Sequence, residues 1–550
     1  METARRQALG QWFTPAPVAD MTLALAVPDK NADVRVLDPA CGDGVFFKRA
    51  QRAGLNADQL FGIELDPAAV RLCRSKFPGV TVDMANLFSV VPDQVGFDAL
   101  VGNPPYVRQE RLTSEQKQRA RRRLVDDWPE LPAPQLERLL GRGDLAAAFL
   151  LRSLRLLRPG GRLSFVLSSA LLDAGYAEQL WSLINQVARV VAIVDAPGER
   201  WFRDAAVNAM IVCIERTPAK SGDQVVIARL RESTDDAAKV VRCEDDLVNV
   251  AELRHAPALE PAVWSTHVRA ASAWFDFVAA AGDALVPLSE LADIRRGVTS
   301  GANSFFYMTR DAAAEQGIEA ELLVPLVRSP RERGAAVISV EPEQTSHVAL
   351  VCPADLTDFP GADTYIIGNS EIAKRPTLRG RKPWWTLPSH PARLFLTKAY
   401  ASRFVQRLAP VPLLADQRVY AVYPREGIDT ELLAAVLNSS FTAFALESLG
   451  RASLGEGALE WTVADAAQLP VIDVRRLDEA NVAAALEAFA ELAQRPILHV
   501  REEAPHQDRQ ALDRALGAAV AGELDMASIH DALIESVERR CSRSASYLSV

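Results

Sequence analysis

Short apolar runs alternate with helix-spaced stretches throughout the first 216 residues of this 550-residue chain, and that alternation leaves few folds open. The runs fall at 34–40, 61–66, 80–85, 97–103, 161–169, 189–195 and 206–216, with helical patterns at 15–27, 44–53, 68–77, 143–158 and 173–187. Stretches such as Val34-Arg35-Val36-Leu37 and Phe165-Val166-Leu167 are mostly apolar, without the strict polar alternation of a strand with one wet face. They predict a mostly parallel, seven-stranded sheet with helices on both faces, a Rossmann-like α/β domain over residues 1–216. Residues 217–285 hold one strand candidate at 225–230, an acidic patch and a proline-bearing stretch, and read as a connector. From 286 to 476 short strands, prolines and aromatics predict a mixed α+β module, and 477–550, rich in alanine, leucine and glutamate, predicts a helical segment.

Composition then narrows the function. Hydrophobic residues at 49% and charged residues at 24% fit a globular chain and exclude global disorder. No stretch nears about eighteen apolar residues, so no membrane span is expected. The opening Met1-Glu2-Thr3-Ala4-Arg5-Arg6 reaches charge without an apolar core, so no signal peptide is expected and the expected location is cytoplasmic. Cysteines at 41, 73, 213, 243, 352 and 541 and seven scattered histidines form no ligand spacing, so neither a metal site nor a disulfide framework is expected. A net charge of −10 argues against a general polyanion binder but leaves room for one local basic face.

Open parallel sheets bind ligands at the carboxyl ends of their strands. The first strand ends in Asp38-Pro39-Ala40-Cys41-Gly42-Asp43-Gly44, a glycine turn ahead of a helix that lacks the G-x-G-x-x-G of pyrophosphate binders. Asp38 and Asp43 would repel a phosphate and suit a cationic, phosphate-free ligand such as S-adenosylmethionine. The second strand ends in Ile63-Glu64-Leu65-Asp66, where Asp66 before Pro67 reads as a helix cap and Glu64 as a partner for ribose hydroxyls. The fourth strand runs into Asn103-Pro104-Pro105-Tyr106. Two prolines fix the backbone and remove two donors, so the Pro104 carbonyl and the Asn103 side-chain oxygen form a pair of acceptors near an aromatic ring. That is a socket for an exocyclic amine on a planar heterocycle.

With these motifs in this order, from Phe13-Thr14-Pro15 through Asp38, Glu64, Asn103 and 143–161 to Arg200-Trp201-Phe202, the chain resembles the gamma-class, TaqI-like N6-adenine DNA methyltransferases. The stretch Arg296-Gly297-Val298-Thr299-Ser300-Gly301-Ala302-Asn303 resembles the entry to such families' target recognition domains. The resemblance implies a methyltransferase domain followed by a DNA-binding recognition domain, with S-adenosylmethionine as cofactor. It implies a cofactor pocket of Thr14, Asp38, Ala40, Gly42, Glu64, Leu65, Asn86, Leu87 and Pro105, with Thr14 and Asp38 at the methionine end. The family usually carries Asp-Phe after the third strand; this chain has Ala85-Asn86-Leu87-Phe88, in which Asn86 can still accept from an adenine amino group. Catalysis is implied for Asn103, Pro104, Tyr106 and Phe202, with Tyr106 stacking on an extruded adenine and Phe202 meeting its edge; Trp201 competes for that edge role.

Two segments offer a DNA surface. Residues 107–123 carry seven basic side chains against Glu110 and Glu115, and 366–410 carry nine against Glu371 alone. Phosphate contact is expected from Arg108 and Arg121 in the first and from Arg379, Arg381 and Lys382 in the second, where Trp384 and Trp385 suit a core as well as a surface. Arg295, Arg296, Asn303, Gln417 and Arg418 are candidates for reading bases, and the helices at 477–545 are expected to buttress the recognition module. The expected partners are double-stranded DNA and, since no nuclease carboxylate–lysine set is visible, at most a separate cognate restriction endonuclease; a monomer is expected. N-P-P-Y also occurs in glutamine-amide methyltransferases, which are much shorter, and in RNA-base methyltransferases. An RNA adenine methyltransferase and a catalytically silent DNA-binding subunit stay open as alternatives.

Overall fold

The computed structural model describes residues 13–28, 33–90, 96–105, 113–142, 145–202, 208–328, 337–451 and 457–545, which fall into two compact units. The first, to Arg269, is built on nine strands: β1 Val36–Asp38, β2 Leu60–Glu64, β3 Thr81–Met84, β4 Phe97–Gly102, β5 Leu157–Ser168, β6 Arg189–Asp195, β7 Ala209–Glu215, β8 Gln224–Leu230 and β9 Ala251–Pro257. They lie in the order β3-β2-β1-β4-β5-β7-β6-β8-β9, with β1 to β5 parallel and β7 antiparallel between β5 and β6. Successive residues on each strand enter two separate cores. Leu37, Leu100, Phe165 and Ile193 pack on one face and Val36, Val101, Val166 and Val194 on the other. Both faces are dry, which is why these strands read as apolar runs.

Two features depart from the sequence expectation. Part of the stretch read as a connector adds β8, parallel to β6, and β9, antiparallel to β8, to this same sheet. The Glu252, Arg254 and His255 side chains of β9 are only half-buried or exposed, as suits an edge strand, and they hid it from an apolar pattern. Strand β5 also begins at Leu157, four residues early, running through Pro159-Gly160 with a register shift opposite Phe97–Ala99.

Local chemistry sets the helices. Gly44, at φ +87°, opens α2 (Val45–Arg52), which follows α1 (Ala16–Ala26); a Cβ on Gly44 would lie 2.4 Å from the Phe77 ring. Asp66 caps α3 (Pro67–Lys76), its Oδ1 accepting from the Ala68 N–H at 3.2 Å with proline in the first turn. Thr113 and Gln116 form the capping box of α4 (Ser114–Asp127), which precedes α5 (Ala133–Arg142) and α6 (Leu145–Leu156).

The second unit comprises 270–451 and 457–541. Its seven-stranded mixed sheet has the order β11-β18-β15-β17-β13-β14-β12, and two ribbons pair β10 with β20 and β16 with β19. In chain order these are β10 Leu285–Pro287, β11 Ala292–Arg296, β12 Tyr307–Met308, β13 Leu323–Val327, β14 His347–Leu350, β15 Ala392–Thr397, β16 Ala399–Tyr400, β17 Arg407–Ala415, β18 Val419–Pro424, β19 Leu459–Glu460 and β20 Pro470–Ile472. A buried hairpin, α7 (Thr430–Leu437) and α8 (Ser440–Leu449), joins α9 (Glu479–Ala493), α10 (Gln507–Gly517) and α11 (Met526–Ala545). Polar bonds lock them together: the Ser440 N–H donates to Asp513 at 2.9 Å, and Arg540 pairs with Glu447 at 2.7 Å. No single helix among the described residues is long and apolar enough to cross a membrane.

Candidate active site

Strands β2, β1 and β4 are neighbours, with Asp38 opposite Gly62 and Leu37 opposite Leu100. Their carboxyl ends bring Glu64, Asp38 and Asn103 to one edge, where the strand order reverses between β1 and β4. Topology thus gathers motifs that the sequence keeps far apart.

Asp38 is 1% exposed, and its Oδ1 accepts from the Ala40 N–H at 3.1 Å. Burial holds its carboxyl well above the ordinary carboxylate value, against the lowering effect of the Ala40 N–H. Gly102 lets β4 pass close by, since a Cβ there would stand 3.1 Å from Asp38 Oδ1. Glu64 has a task the sequence did not reveal. Its Oε2 accepts from the Gly42 N–H at 2.9 Å, and its Oε1 from the N–H groups of Leu65 at 2.7 Å and Asp66 at 2.8 Å. The buried carboxylate therefore clasps the loop after β1 to the end of β2, and three acceptances leave about one of its four lone-pair sites for a hydroxyl. Gly42 sits at φ +53° with no described atom within 4 Å of where a Cβ would stand, so the loop opens onto space there.

Asn103 is half-buried, and its Nδ2 donates to the buried Thr14 hydroxyl at 3.2 Å. This bond commits the donor end of the amide to the residue just ahead of α1. Pro104 is buried, while Pro105 and Ala40 are half-buried. Tyr106 and Arg108 lie outside the described residues. Leu65 is 59% exposed beside Glu64, as an apolar surface for a ring would be. Asn86 uses Oδ1 to cap the turn Leu87–Ser89, accepting from the Phe88 N–H at 2.9 Å, and the Leu87 side chain is buried in the core. Phe202 is buried among apolar side chains. The Trp201 indole donates to the Thr234 hydroxyl at 2.8 Å, so its polar edge is engaged inside the unit.

A further residue supports this edge from within. Arg152, fully buried on α6, donates to Asp127 at 3.0 Å and to the carbonyls of Leu87 at 3.2 Å and Val90 at 2.8 Å. It holds the loop after β3 in place. An arginine seven residues into the apolar run Leu145–Leu156, ahead of the more exposed Arg155, was the signal in the sequence.

The expected DNA contacts separate into two kinds. Arg121 is ion-paired with Glu137, and Arg381 donates to the carbonyls of Ser300 at 3.1 Å and Thr299 at 3.4 Å while lying 5.4 Å from the centre of the Phe306 ring. Arg379 and Lys382 are exposed. Trp384 and Trp385 are half-buried against the core, Trp384 4.9 Å from Phe305 by ring centroid and Trp385 donating to the Pro353 carbonyl at 3.2 Å.

A mostly parallel sheet covered on both faces, with β7 antiparallel between β5 and β6 and an acidic, glycine-bearing edge at its switch point, is the frame of a methyltransferase that takes a nucleoside-bearing donor at that edge. Comparison with known proteins sharpens this. Residues 2–252 match the N-6 DNA Methylase family, and 275–504 match the C-terminal domain of the Type II methyltransferase M.Eco57I. Among relatives, the Type II methyltransferase M.XamI of Xanthomonas campestris pv. amaranthicola is 25% identical over 78% of this chain and 79% of its own length. M.AccI of Acinetobacter calcoaceticus is 23% identical over 86% and 87%. The Type IIL restriction-modification enzyme MmeI, solved in complex with DNA, shares the fold with a TM-score of 0.54 at 16% identity, over 92% of this chain and 73% of that one. Residues 2–252 are similar to the N-6 DNA methylases, and with these Type II relatives the chain is a DNA methyltransferase acting on adenine N6, with S-adenosylmethionine as methyl donor.

The edge fits that donor. The open Gly42 turn gives room for close backbone approach, the lone-pair site left on Glu64 would suit a ribose hydroxyl, and the Asp38 carboxyl would suit a cationic amino-acid end. A cation beside Asp38 favours its ionised form, so cofactor binding should release a proton. Affinity then climbs as pH rises toward the raised Asp38 value. In the unliganded protein the sign is reversed: the stability due to Asp38 is present at low pH and lost as pH rises through that value. Calorimetry in two buffers of different ionisation enthalpy should detect this proton release in the parent and none in Asp38→Asn. Buffer-independent heats in both at every pH of a series started from the low end, where the Asp38 carboxyl is protonated, would remove Asp38 from the binding site.

Proposed function

We propose that this adenine methyltransferase is of the gamma class, acts on an adenine flipped out of double-stranded DNA, and works as a monomer. Its place is that of the modification enzyme in a restriction-modification system with a separate nuclease, or of a solitary methylase. The observation that carries the reading is the shared edge of Glu64, Asp38 and Asn103-Pro104, with the Asn103 amide oriented by Thr14. The Type II names of its relatives support the restriction-modification context.

Adenine N6 is a poor nucleophile because its lone pair is delocalised into the ring. Two hydrogen bonds from its protons to Asn103 Oδ1 and the Pro104 carbonyl favour a pyramidal nitrogen, whose lone pair is then localised for attack. A cofactor held at the edge of Asp38, Glu64 and the Gly42 turn would supply an activated methyl group on a sulfonium, whose sulfur would keep the carbon–sulfur electron pair. The nitrogen forms the new bond with its lone pair and passes a proton to water, so the chain needs no histidine here. Extruding the base costs a few kcal/mol, which stacking on Tyr106 offsets, with Phe202 at the ring edge. Arg379 and Lys382 meet phosphates. Residues 1–216 supply the chemistry, and 286–476 supply recognition with 477–550 behind them.

Sequencing the DNA of an expressing host by a modification-sensitive method tests the proposal. N6-methyladenine should appear in one short sequence context. Unmodified host DNA, with methyl transfer to RNA instead, would overturn it.

A further inference from the structure

Of the five side chains able to read bases, the second unit brings three together and sets two aside. The cluster is two guanidinium groups and one amide. Arg296, at the end of β11, donates through Nη2 to Gln417 Oε1 at 3.0 Å, and Arg418 adjoins Gln417 on the turn between β17 and β18. Arg295 points to the other face of β11, where it meets Asp293 at 2.7 Å and lies 5.3 Å from the centre of the Tyr423 ring. Asn303 is turned onto the Ser300 hydroxyl.

The backbone beneath the cluster is locked. Gly297 N–H donates to Val419 O at 3.0 Å, Val298 N–H to Ala415 O at 2.6 Å and Gln417 N–H to Val298 O at 3.1 Å. Asp416, 1% exposed, tightens the turn by accepting the Arg418 N–H at 3.1 Å. A Cβ on Gly297 would stand 2.2 Å from Asp416 O, so only glycine permits so close an approach. The loop beyond Val298 is fastened too, by Arg381 on the Ser300 carbonyl and by the Thr377 hydroxyl on the Gly301 carbonyl at 2.9 Å. Two loops distant in sequence thus form one platform with exposed Arg296 and Arg418 at its surface.

Arg296 is held by a neutral amide. Its charge is therefore not cancelled by its partner, and one hydrogen bond leaves most of its five donors for another acceptor. The same bond fixes Gln417 Oε1, so the Gln417 amino group is the end left to face a ligand. A rigid pair of donors, oriented before binding, matches the acceptor-rich major-groove edge of guanine, N7 and O6.

We propose that Arg296, oriented by Gln417 on the platform of 296–299 and 416–418, reads a guanine in the DNA sequence this enzyme methylates. The proposal rests on the adenine DNA methyltransferase reading, and the test separates the two. Parent, Arg296→Ala, Gln417→Ala and Gln417→Glu chains are expressed in a host without adenine methylation of its own, and methylated sites are mapped across the genome. The parent should modify one sequence containing a guanine. Arg296→Ala should relax that single position roughly ten- to a hundredfold, and Gln417→Ala should relax the same position. Gln417→Glu should do so as well, because its carboxylate draws the guanidinium into an ion pair. The control, Arg379→Ala with Lys382→Ala, should weaken all sites alike and flatten the salt dependence of binding.

If Arg296→Ala keeps the parental sequence and loses activity evenly, or flattens the salt dependence as the control does, Arg296 is a phosphate contact and the proposal falls. If the parent itself leaves no N6-methyladenine, the function fails first and this proposal with it.

Discussion

Asn103→Ala should lower kcat about a hundred- to a thousandfold while the cofactor still binds with its parental affinity. The expectation follows from where the residue stands. Asn103 follows directly on β4, which lies beside β1, yet the contacts that shape the cofactor edge belong to others: Ala40 N–H to Asp38, and Gly42, Leu65 and Asp66 N–H to Glu64. Removing the Asn103 amide breaks one bond to Thr14, at 3.2 Å, and none of those four. What is lost is an acceptor aimed at the amine during transfer, an interaction that strengthens as charge develops on nitrogen. Asn103→Asp keeps two acceptor oxygens, and the Thr14 hydroxyl can turn to donate, so this variant should retain more turnover than alanine. Single-turnover methyl transfer with calorimetric cofactor binding separates the two effects. Turnover of Asn103→Ala within about tenfold of the parent would remove Asn103 from catalysis.

The ligand edge was legible because a strand end is a local pattern. Asp38, Glu64 and Asn103 each close an apolar run, and adjacency of those runs in a parallel sheet follows from their connections. What could not be read were bonds between distant residues: Asn103 to Thr14, Glu64 to Gly42, and Arg152 to the loop after β3. No spacing rule encodes them. Counting charge also failed to sort the basic segment at 366–410. Arg381 braces a loop, Arg393 pairs with Glu431 and Arg407 is buried, whereas Arg379 and Lys382 are exposed. Edge strand β9 was missed for the reverse reason, because exposed charged side chains dilute an apolar pattern without preventing backbone pairing.

The largest loss of stability is expected from Arg152→Met. Both members of the Arg152–Asp127 pair have side chains only 1% exposed, and Asp127 also accepts from Arg123 Nε at 2.9 Å. Methionine fills much of the volume but leaves the Asp127 carboxylate without its buried partner, and leaves the Leu87 and Val90 carbonyls without that donor. Breaking one side of a buried ion pair costs about 3–5 kcal/mol, which for a unit of this size lowers Tm by roughly 10 °C. Asp127→Leu alone should also be severe, since it strands the guanidinium. The double variant should lose less than the sum, by about 1–3 kcal/mol, because neither Arg152 nor Asp127 is then left buried without the other, although Arg123 still loses its carboxylate. Cofactor affinity behaves differently. Removing Asp127 as well does not restore the donors to Leu87 and Val90, so the double variant should bind cofactor as weakly as Arg152→Met does, through the loosened 86–90 loop. Denaturation curves for the four chains test the pair, and calorimetric titration of each with cofactor tests the loop. Additive losses of stability would mean that Arg152 and Asp127 do not act as a pair, and parental affinity in Arg152→Met would mean that the loop holds its shape without them.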